Sequence, residues 1–116
     1  MKKSYNVILL GIIMLFTHSA YSSLSVLLVN DNDYDTTRIE VVKTAIIDAG
    51  YEFTYFDAAT AGISPSLSIM NAHDLVVWYT GNDGGGLHFW NGDETDNQTI
   101  KAYIDGGGML WIQGLD

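Results

Sequence analysis

Short runs of residues that are apolar at nearly every position constrain the fold of this chain more than any other feature. They lie at Leu24 to Val29, within Asp74 to Thr80, and at Met109 to Gln113. Strands of antiparallel sheets usually alternate apolar and polar residues, whereas a strand of a parallel sheet is covered on both faces and is apolar throughout. The runs therefore predict a parallel sheet, whose strands must be joined by crossovers that are usually helical.

The first crossover has a clear helical pattern. Thr37 and Glu40 have the spacing of a capping box, in which each side chain accepts a hydrogen bond from a backbone N–H near the helix start. Apolar residues then recur at helical spacing on one face, and Gly50 follows as a typical helix end. That face consists of Ile39, Val42, Ile46 and Ala49.

The later segments are less regular. Tyr51 to Asp57 alternates well enough for a second strand, and Ser64-Pro65 can open a helical turn that places Leu67 and Met70 against the sheet. Asp93 to Asp105 predicts another helix, which ends at three glycines. Its capping-box pair is Thr95 and Gln98, and its apolar side is Ile100, Tyr103 and Ile104.

The alternation of strands and helices predicts an α/β fold. We expect an open parallel sheet with right-handed crossovers and helices on both faces, which makes three layers, and a flavodoxin-like strand order of 2-1-3-4. A doubly wound domain usually continues beyond its fourth strand, so we expect residues 23–116 to be an incomplete domain. The C-terminal remainder of the same protein or a partner domain would then cover Met109 to Gln113.

Residues 1–22 have the layout of a secretory signal peptide. Lys2 and Lys3 precede an apolar run from Val7 to Phe16, and small polar residues follow it up to Ser22. About ten apolar residues are fewer than a membrane-spanning helix needs, although a retained N-terminal anchor stays open as the alternative. We therefore expect export to the periplasm, the cell surface or the extracellular space, with no membrane contact after cleavage.

The chain that remains after such a cleavage is strongly acidic. Three basic residues, Arg38, Lys43 and Lys101, then stand against fourteen acids, a formal charge of −11. This charge repels nucleic acid and anionic membranes, so we expect neither as a partner. The chain has no cysteine, which excludes disulfides and thiolate catalysis.

Polar residues gather where the predicted strands end. In an open parallel sheet, ligands bind beyond the carboxyl ends of the strands, near the point where the strand order reverses. For the order 2-1-3-4 this point lies between the first and third strands. The candidate ligand-binding residues are Asn30, Asp31, Gly81, Asn82, Asp83 and Gln113.

The acids after the first strand raise the question of a metal. Asp31, Asp33 and Asp35 have the one, three, five spacing of a calcium loop, but Thr36 and Val42 stand at its glycine and glutamate positions, so an EF-hand is not predicted. A looser Ca²⁺ site that remains open would use Asp31, Asp33 and Asp83. The alternative is that the acids stabilise the positive end of the following helix. No other cofactor is expected.

Four phrases together resemble the class I glutamine amidotransferase-like domains of exported bacterial proteins: "SVLLVNDND", "AGYEFTYFDAATAGISPS", "HDLVVWYTGND" and "YIDGGGMLWIQGLD". The resemblance implies a flavodoxin-like sheet with Gly81 in an oxyanion-binding turn. It also implies that Gln113 stands where the nucleophilic cysteine would be, and glutamine cannot attack a carbonyl as a thiolate does. The family's catalytic histidine and acid would lie beyond Asp116.

These observations predict an exported module that has the fold of an enzyme but no catalytic residues of its own. It would bind a small molecule or act as an accessory module within a larger secreted or surface protein. The alternative is a hydrolase of the same fold. It would use His88, in a loop near the expected site, with Asp31 or Asp83 and with a metal ion in support.

Overall fold

The chain folds around one four-stranded sheet. The structure, a computed structural model, describes residues 23–34, 36–82, 86–89 and 97–114. Within these ranges the strands are β1 (Val26–Asn30), β2 (Phe53–Asp57), β3 (Leu75–Gly81) and β4 (Met109–Gly114). All neighbours are parallel, in the order β2-β1-β3-β4. The predicted α/β fold, its open parallel sheet and its strand order are confirmed.

Helices lie on both faces of this sheet. They are α1 (Arg38–Asp48), α2 (Ala58–Ala61), α3 (Leu67–Asn71) and α4 (Gln98–Asp105). The helix α1 packs on one face, where its buried residues are Ile39, Val42 and Ile46. The other three pack on the opposite face, where their buried residues are Ala58, Met70, Ile100 and Tyr103. The three-layer arrangement follows from the fact that a two-sided apolar sheet must be covered twice.

The central strands form the core. Every residue of β1 is buried, and β3 is buried from Val76 to Gly81. Leu27 and Val29 face α3 and α4, whereas Leu28 faces α1. Burying one such side chain contributes roughly 1.5–3 kcal/mol. The central strands are buried on both faces, which explains why their sequences are apolar without interruption.

The start of α1 differs from the predicted capping box. Thr37 is the capping residue, but its side chain makes no capping hydrogen bond. Its backbone is already helical, with φ −86° and ψ −34°, whereas a capping side chain needs an extended backbone to reach the next turn. Glu40 instead accepts from Lys43, with an Nζ–Oε1 distance of 2.7 Å. The capping-box prediction at this helix was wrong.

Two further local predictions need correction. Ile104 was expected on the apolar side of α4 but is 49% exposed, and Ala49 lies exposed beyond the end of α1. The short helix α2 was not predicted, and it is capped by Asp57, whose carboxylate accepts from the backbone N–H of Thr60 at 3.0 Å. Thr95, half of the predicted capping box before α4, lies outside the described residues. Asn97 caps that helix in the structure.

The strand β4 is the edge of the sheet beside β3. Three of its four large apolar side chains are about half exposed: Met109, Trp111 and Ile112. Because Trp111 is paired with Val77, it lies on the face that α1 covers. In the described part of the chain, no helix has the length and apolar character to cross a bilayer.

Candidate functional site

Asp31 lies at the carboxyl edge of the sheet, where its carboxylate accepts four hydrogen bonds. It follows β1 directly and is only 2% exposed. Its Oδ1 accepts from the backbone nitrogen of His88 at 3.0 Å and from the ring Nδ1 of the same residue at 2.9 Å. Its Oδ2 accepts from the indole Nε1 of Trp78 at 2.9 Å and from the backbone nitrogen of Phe89 at 2.8 Å. Four donors match the roughly four acceptor positions of a carboxylate.

These bonds hold residues 88 and 89 against the end of the sheet, and a second set of contacts supports them. The carbonyl oxygen of His88 accepts from Ser64 Oγ at 2.7 Å and from Asn97 Nδ2 at 2.8 Å. The ring of Phe89 packs edge-on against Trp78, with 5.4 Å between the ring centroids. Segment 86–89 is therefore anchored to β1, to β3 and to the start of α4.

The side-chain amides on either side of Asp31 form the turn that follows β1. Asn30 Oδ1 accepts from the backbone nitrogen of Asn32 at 3.4 Å, and Asn32 Oδ1 accepts from that of Tyr34 at 3.0 Å. The backbone nitrogen of Asp31 continues the ladder by donating to Tyr79 at 2.8 Å. An asparagine that accepts from the backbone two residues ahead forms a local turn. The polar stretch after β1 is thus used to shape the chain.

Gly81 brings the ends of β1 and β3 into close contact. Its φ is +61°, and a Cβ at this position would lie 2.2 Å from Asn32 Nδ2. Only glycine combines this backbone conformation with so short an approach. The carboxyl ends of β1 and β3 can therefore approach this closely only because residue 81 has no side chain.

An open cleft of about 440 Å³ lies at the carboxyl ends of β3 and β4. It is bordered by α1 on the side opposite the strands. Across it, Arg38 Nη1 donates to Asn82 Oδ1 at 3.1 Å. The residues that line the cleft are Arg38, Val41, Val42, Tyr79, Gly81, Asn82, Gln113 and Gly114.

The structure separates the predicted ligand-binding residues into three groups. Gly81, Asn82 and Gln113 line the cleft together. Asn30 and Asp31 are buried and bonded within the chain. Asp83 lies outside the described residues. The sequence reasoning missed Arg38, and the signal that could have found it is its position in the first turn of a helix that begins at this edge of the sheet.

The Ca²⁺ site of Asp31, Asp33 and Asp83 stays a prediction, because one of its three residues is not described. Among the residues that are described, no group of three or more acidic, histidine or cysteine side chains is placed to hold a metal. Asp33 is exposed, whereas both oxygens of Asp31 already accept two hydrogen bonds each. A cation at Asp31 would have to displace at least one of these donors.

His88 and Asp31 form an acid–imidazole pair. A carboxylate only accepts hydrogen bonds, so the hydrogen between them belongs to Nδ1 of His88 and the lone pair of the neutral ring lies on Nε2. The histidine side chain is 27% exposed. Ser64 does not complete a nucleophilic triad by its observed bond, since its Oγ donates to the carbonyl oxygen of His88.

The other two cations beyond residue 22 lie in surface pairs away from the cleft lining. Lys43 pairs with Glu40 and lies over the ring of Tyr55, 4.1 Å from its centroid. The hydrogen bond that Lys43 donates to Glu40 raises the pKa of Lys43. Lys101 pairs with Asp105 on α4. Arg38 is therefore the cation of the cleft.

Comparison with protein-family models, with curated proteins and with solved structures gave no match to this chain. The fold is therefore assigned from its geometry alone. It is a flavodoxin-like parallel sheet of order β2-β1-β3-β4, whose strands alternate with helices along the chain.

Proposed function

We propose that this chain is an exported, non-catalytic α/β binding module, related to the amidotransferase-like domains and part of a larger secreted or surface protein. The observation that carries the proposal is the cleft at the carboxyl edge of the sheet. Its polar groups include the guanidinium of Arg38 and the amides of Asn82 and Gln113. Such groups bind and orient a ligand through hydrogen bonds, but they do not exchange protons near neutral pH.

The state of Asp31 favours binding over catalysis. A general base must reach a substrate proton, and this carboxylate is buried behind four N–H donors of its own chain. The resemblance to amidotransferases also aligns Gln113, which is no nucleophile, with the catalytic cysteine. A small polar molecule held at Asn82 and Gln113 is the function that these groups support best.

The accessory part of the proposal rests on β4. Met109 and Trp111 of this strand form a half-exposed apolar surface on the α1 face of the sheet, and Ile112 is half exposed on the opposite face. Contiguous apolar surface on a soluble domain commonly marks an interface. The partner we propose is the C-terminal remainder of the same protein or a neighbouring domain, with neither nucleic acid nor membrane involved.

A ligand screen of the full chain tests the binding role. Small amides, amino acids and carboxylates would be scored by the rise in melting temperature, because a ligand of the folded state stabilises it. Asn82→Ala and Gln113→Ala should abolish the rise, whereas Asn71→Ala, which removes an exposed amide at the opposite edge of the sheet, should keep it. A rise that survives both cleft substitutions would place binding elsewhere and contradict the proposal.

The second candidate function is hydrolysis, and the hydrogen bond between His88 Nδ1 and Asp31 Oδ1 favours it. This is the arrangement in which an acid orients an imidazole as a general base. The check is hydrolysis of p-nitrophenyl acetate by the wild-type chain, by His88→Gln and by His73→Gln. Activity that only His88→Gln removes would replace the non-catalytic proposal. Equal rates in all three chains would leave it standing.

A further inference from the structure

The two edges of the sheet differ in how they are protected from pairing with another strand. At the β2 edge, Thr54 Oγ1 is hydrogen-bonded to Nε2 of His73, and the ammonium of Lys43 lies over the ring of Tyr55. Polar and charged groups discourage a further strand from pairing with such an edge. The strand β4 contains no charged residue, and it is exposed at five of its six positions. It is therefore the edge at which the sheet can extend.

The sequence of β4 is that of a strand covered on both faces. Met109 and Trp111 lie on the α1 face, whereas Leu110 and Ile112 lie on the opposite face. The central strands β1 and β3 share this pattern, and each has two neighbouring strands. Among the described strands, β4 has only β3 beside it. The backbone N–H and C=O groups of its outer edge pair best with a further strand, so the partner must present a β-strand.

The helix α4 has two opposite charges beside this edge. Its Ala102 lines a cavity together with Asn71 of α3. At roughly 100° per residue, Lys101, Ile104 and Asp105 lie on the opposite flank of α4. Because α4 directly precedes β4 and contacts α3 on the other side, this flank borders the open edge. Ile104 is 49% exposed there, and the side chains of Lys101 and Asp105 are 65% and 62% exposed.

We propose that β4 pairs with β4 of a second copy in an antiparallel dimer. The two-fold axis is perpendicular to the sheet, so the two sheets join into one and paired residues share a face. With the axis at Trp111, Leu110 lies opposite Ile112 of the partner subunit. This inference rests on the accessory part of the proposed function and names the neighbouring domain as a second copy of this chain.

The spacing of the helices fits such a dimer. The helix α4 covers both β3 and β4, since Tyr103 packs in the same cluster as Trp78 and donates its hydroxyl to the carbonyl oxygen of Met109. Neighbouring strands are about 4.8 Å apart, so a helix above β3 and β4 lies about 5 Å from an axis just outside β4. The two α4 helices would then be about 10 Å apart, which is the usual distance between packed helices.

The charges of α4 favour a second copy over an unrelated partner. A two-fold axis makes the two helices antiparallel, which brings Lys101 toward Asp105 of the partner subunit and repeats the same pair on the other side. An apolar helix of another domain would instead lie against two charges without partners of its own. The formal charge of −11 on residues 23–116 opposes association, so the dimer should strengthen with salt.

Sedimentation velocity of the full chain is the first test. We expect a monomer–dimer equilibrium at about 100 μM protein, which populates an interface of micromolar affinity, and a larger dimer fraction at high salt. A monomer under both conditions would overturn the inference, but it would leave the ligand screen and a covering domain of another sequence untouched. Species larger than a dimer would also contradict it, because a two-fold contact closes on itself.

Two matched substitutions locate the contact. Ile112→Glu places a charge at the open edge and should weaken the dimer at least about tenfold. Ile47→Glu adds the same charge to a side chain that is 61% exposed on the flank of α1 that also carries Lys43, beside β2. It should leave the dimer unchanged, and equal effects of the two substitutions would place the contact elsewhere.

An exchange of charges tests the two-fold geometry independently of the strand. Lys101→Asp should weaken the dimer roughly tenfold, since the axis repeats the lost pair, and adding Asp105→Lys should restore it. Lys101→Asp combined with Glu52→Lys has the same net charge as that double variant, and it should stay weak because Glu52 is exposed before β2. Equal affinity of the two double variants would contradict the contact between the α4 helices.

Hydrogen exchange tests the strand pairing itself. The outer backbone N–H groups of residues 109–114 should be protected at concentrations that form the dimer, and they should exchange faster on dilution. A dimer without this concentration-dependent protection would overturn the pairing of β4 with its copy.

Discussion

Among the acids that the structure describes, replacing Asp31 by asparagine should destabilise the chain more than any other change of similar shape. The substitution keeps the volume of the side chain and exchanges one acceptor for an amide NH₂. If the NH₂ takes the place of Oδ2, it faces the donors of Trp78 and Phe89. If the NH₂ takes the place of Oδ1, it faces the backbone nitrogen and the ring Nδ1 of His88. The ring nitrogen can become an acceptor when its hydrogen moves to Nε2, but the backbone nitrogen cannot.

The second orientation is cheaper and sets the expected cost. One backbone N–H then stays buried without a partner, which costs about 1–3 kcal/mol, and the remaining bonds lose the advantage of a charged acceptor. We expect the free energy of unfolding to fall by about 3 kcal/mol in total. For a domain of this size such a loss lowers the melting temperature by roughly 15 °C.

Urea and thermal unfolding, followed by tryptophan fluorescence and near-ultraviolet circular dichroism, measure this loss. The matched control is Asp105→Asn, which removes a charge from a side chain that is 62% exposed and paired only with Lys101. Exposed pairs contribute about 0.2–1 kcal/mol, so the control should lie near the wild type. A loss below about 1 kcal/mol for Asp31→Asn, or one equal to the control, would refute the reasoning.

Three further predictions follow from the same contacts. Gly81→Ala should cost at least about 2 kcal/mol more than Gly62→Ala in thermal unfolding, because both have positive φ but only Gly81 has a side chain within 4 Å of the added Cβ; equal costs would leave backbone strain as the sole cause. Hydrogen bonds from the backbone and side chain of Ser25 lower the pKa of Asp74. Ionised Asp74 therefore stabilises the folded state. This stabilisation is complete when the pH is above the ordinary pKa of an aspartate, and it is lost as the pH falls through the lower pKa of the folded state. Ser25→Ala removes only the side-chain bond and should therefore raise the Asp74 pKa part of the way in an NMR titration, and an unchanged value would contradict the contribution of that side chain. Tyr103→Phe should cost about 1 kcal/mol in urea unfolding, because the buried hydroxyl donates to a carbonyl of β4 at 3.2 Å; a neutral substitution would show that this bond contributes nothing.

The fold could be predicted from the sequence because its cause is local and repeated. The uninterrupted apolar runs of β1 and β3 reflect burial on both faces, and the spacing of Ile39, Val42 and Ile46 reflects one covered helix face. Helix starts were less predictable, since the backbone at Thr37 overrides what its side chain could do. Propensity describes the residue, whereas a cap depends on the dihedral angles that packing imposes.

The candidate site was predictable only in part. Gly81, Asn82 and Gln113 were found because parallel strands bring their carboxyl ends to one edge. Arg38 was missed because it lies on a helix and enters the cleft from the side. The sequence does not predict that Asp31 accepts hydrogen bonds from Trp78 and Phe89. Both partners are distant in the chain, and Phe89 donates only through its backbone nitrogen.

The distance along the chain between Asp31 and its partners has a consequence for how the sheet assembles. Trp78 is 47 residues away, and Phe89 is 58 residues away. A slip of β1 against β3 by one position would point the carboxylate toward the face of α1, where these donors are absent, and would leave a charge and several N–H groups buried without partners. Misregistered pairings should thus be short-lived during folding. A single buried acid at a strand end therefore favours one register of the two central strands over the others.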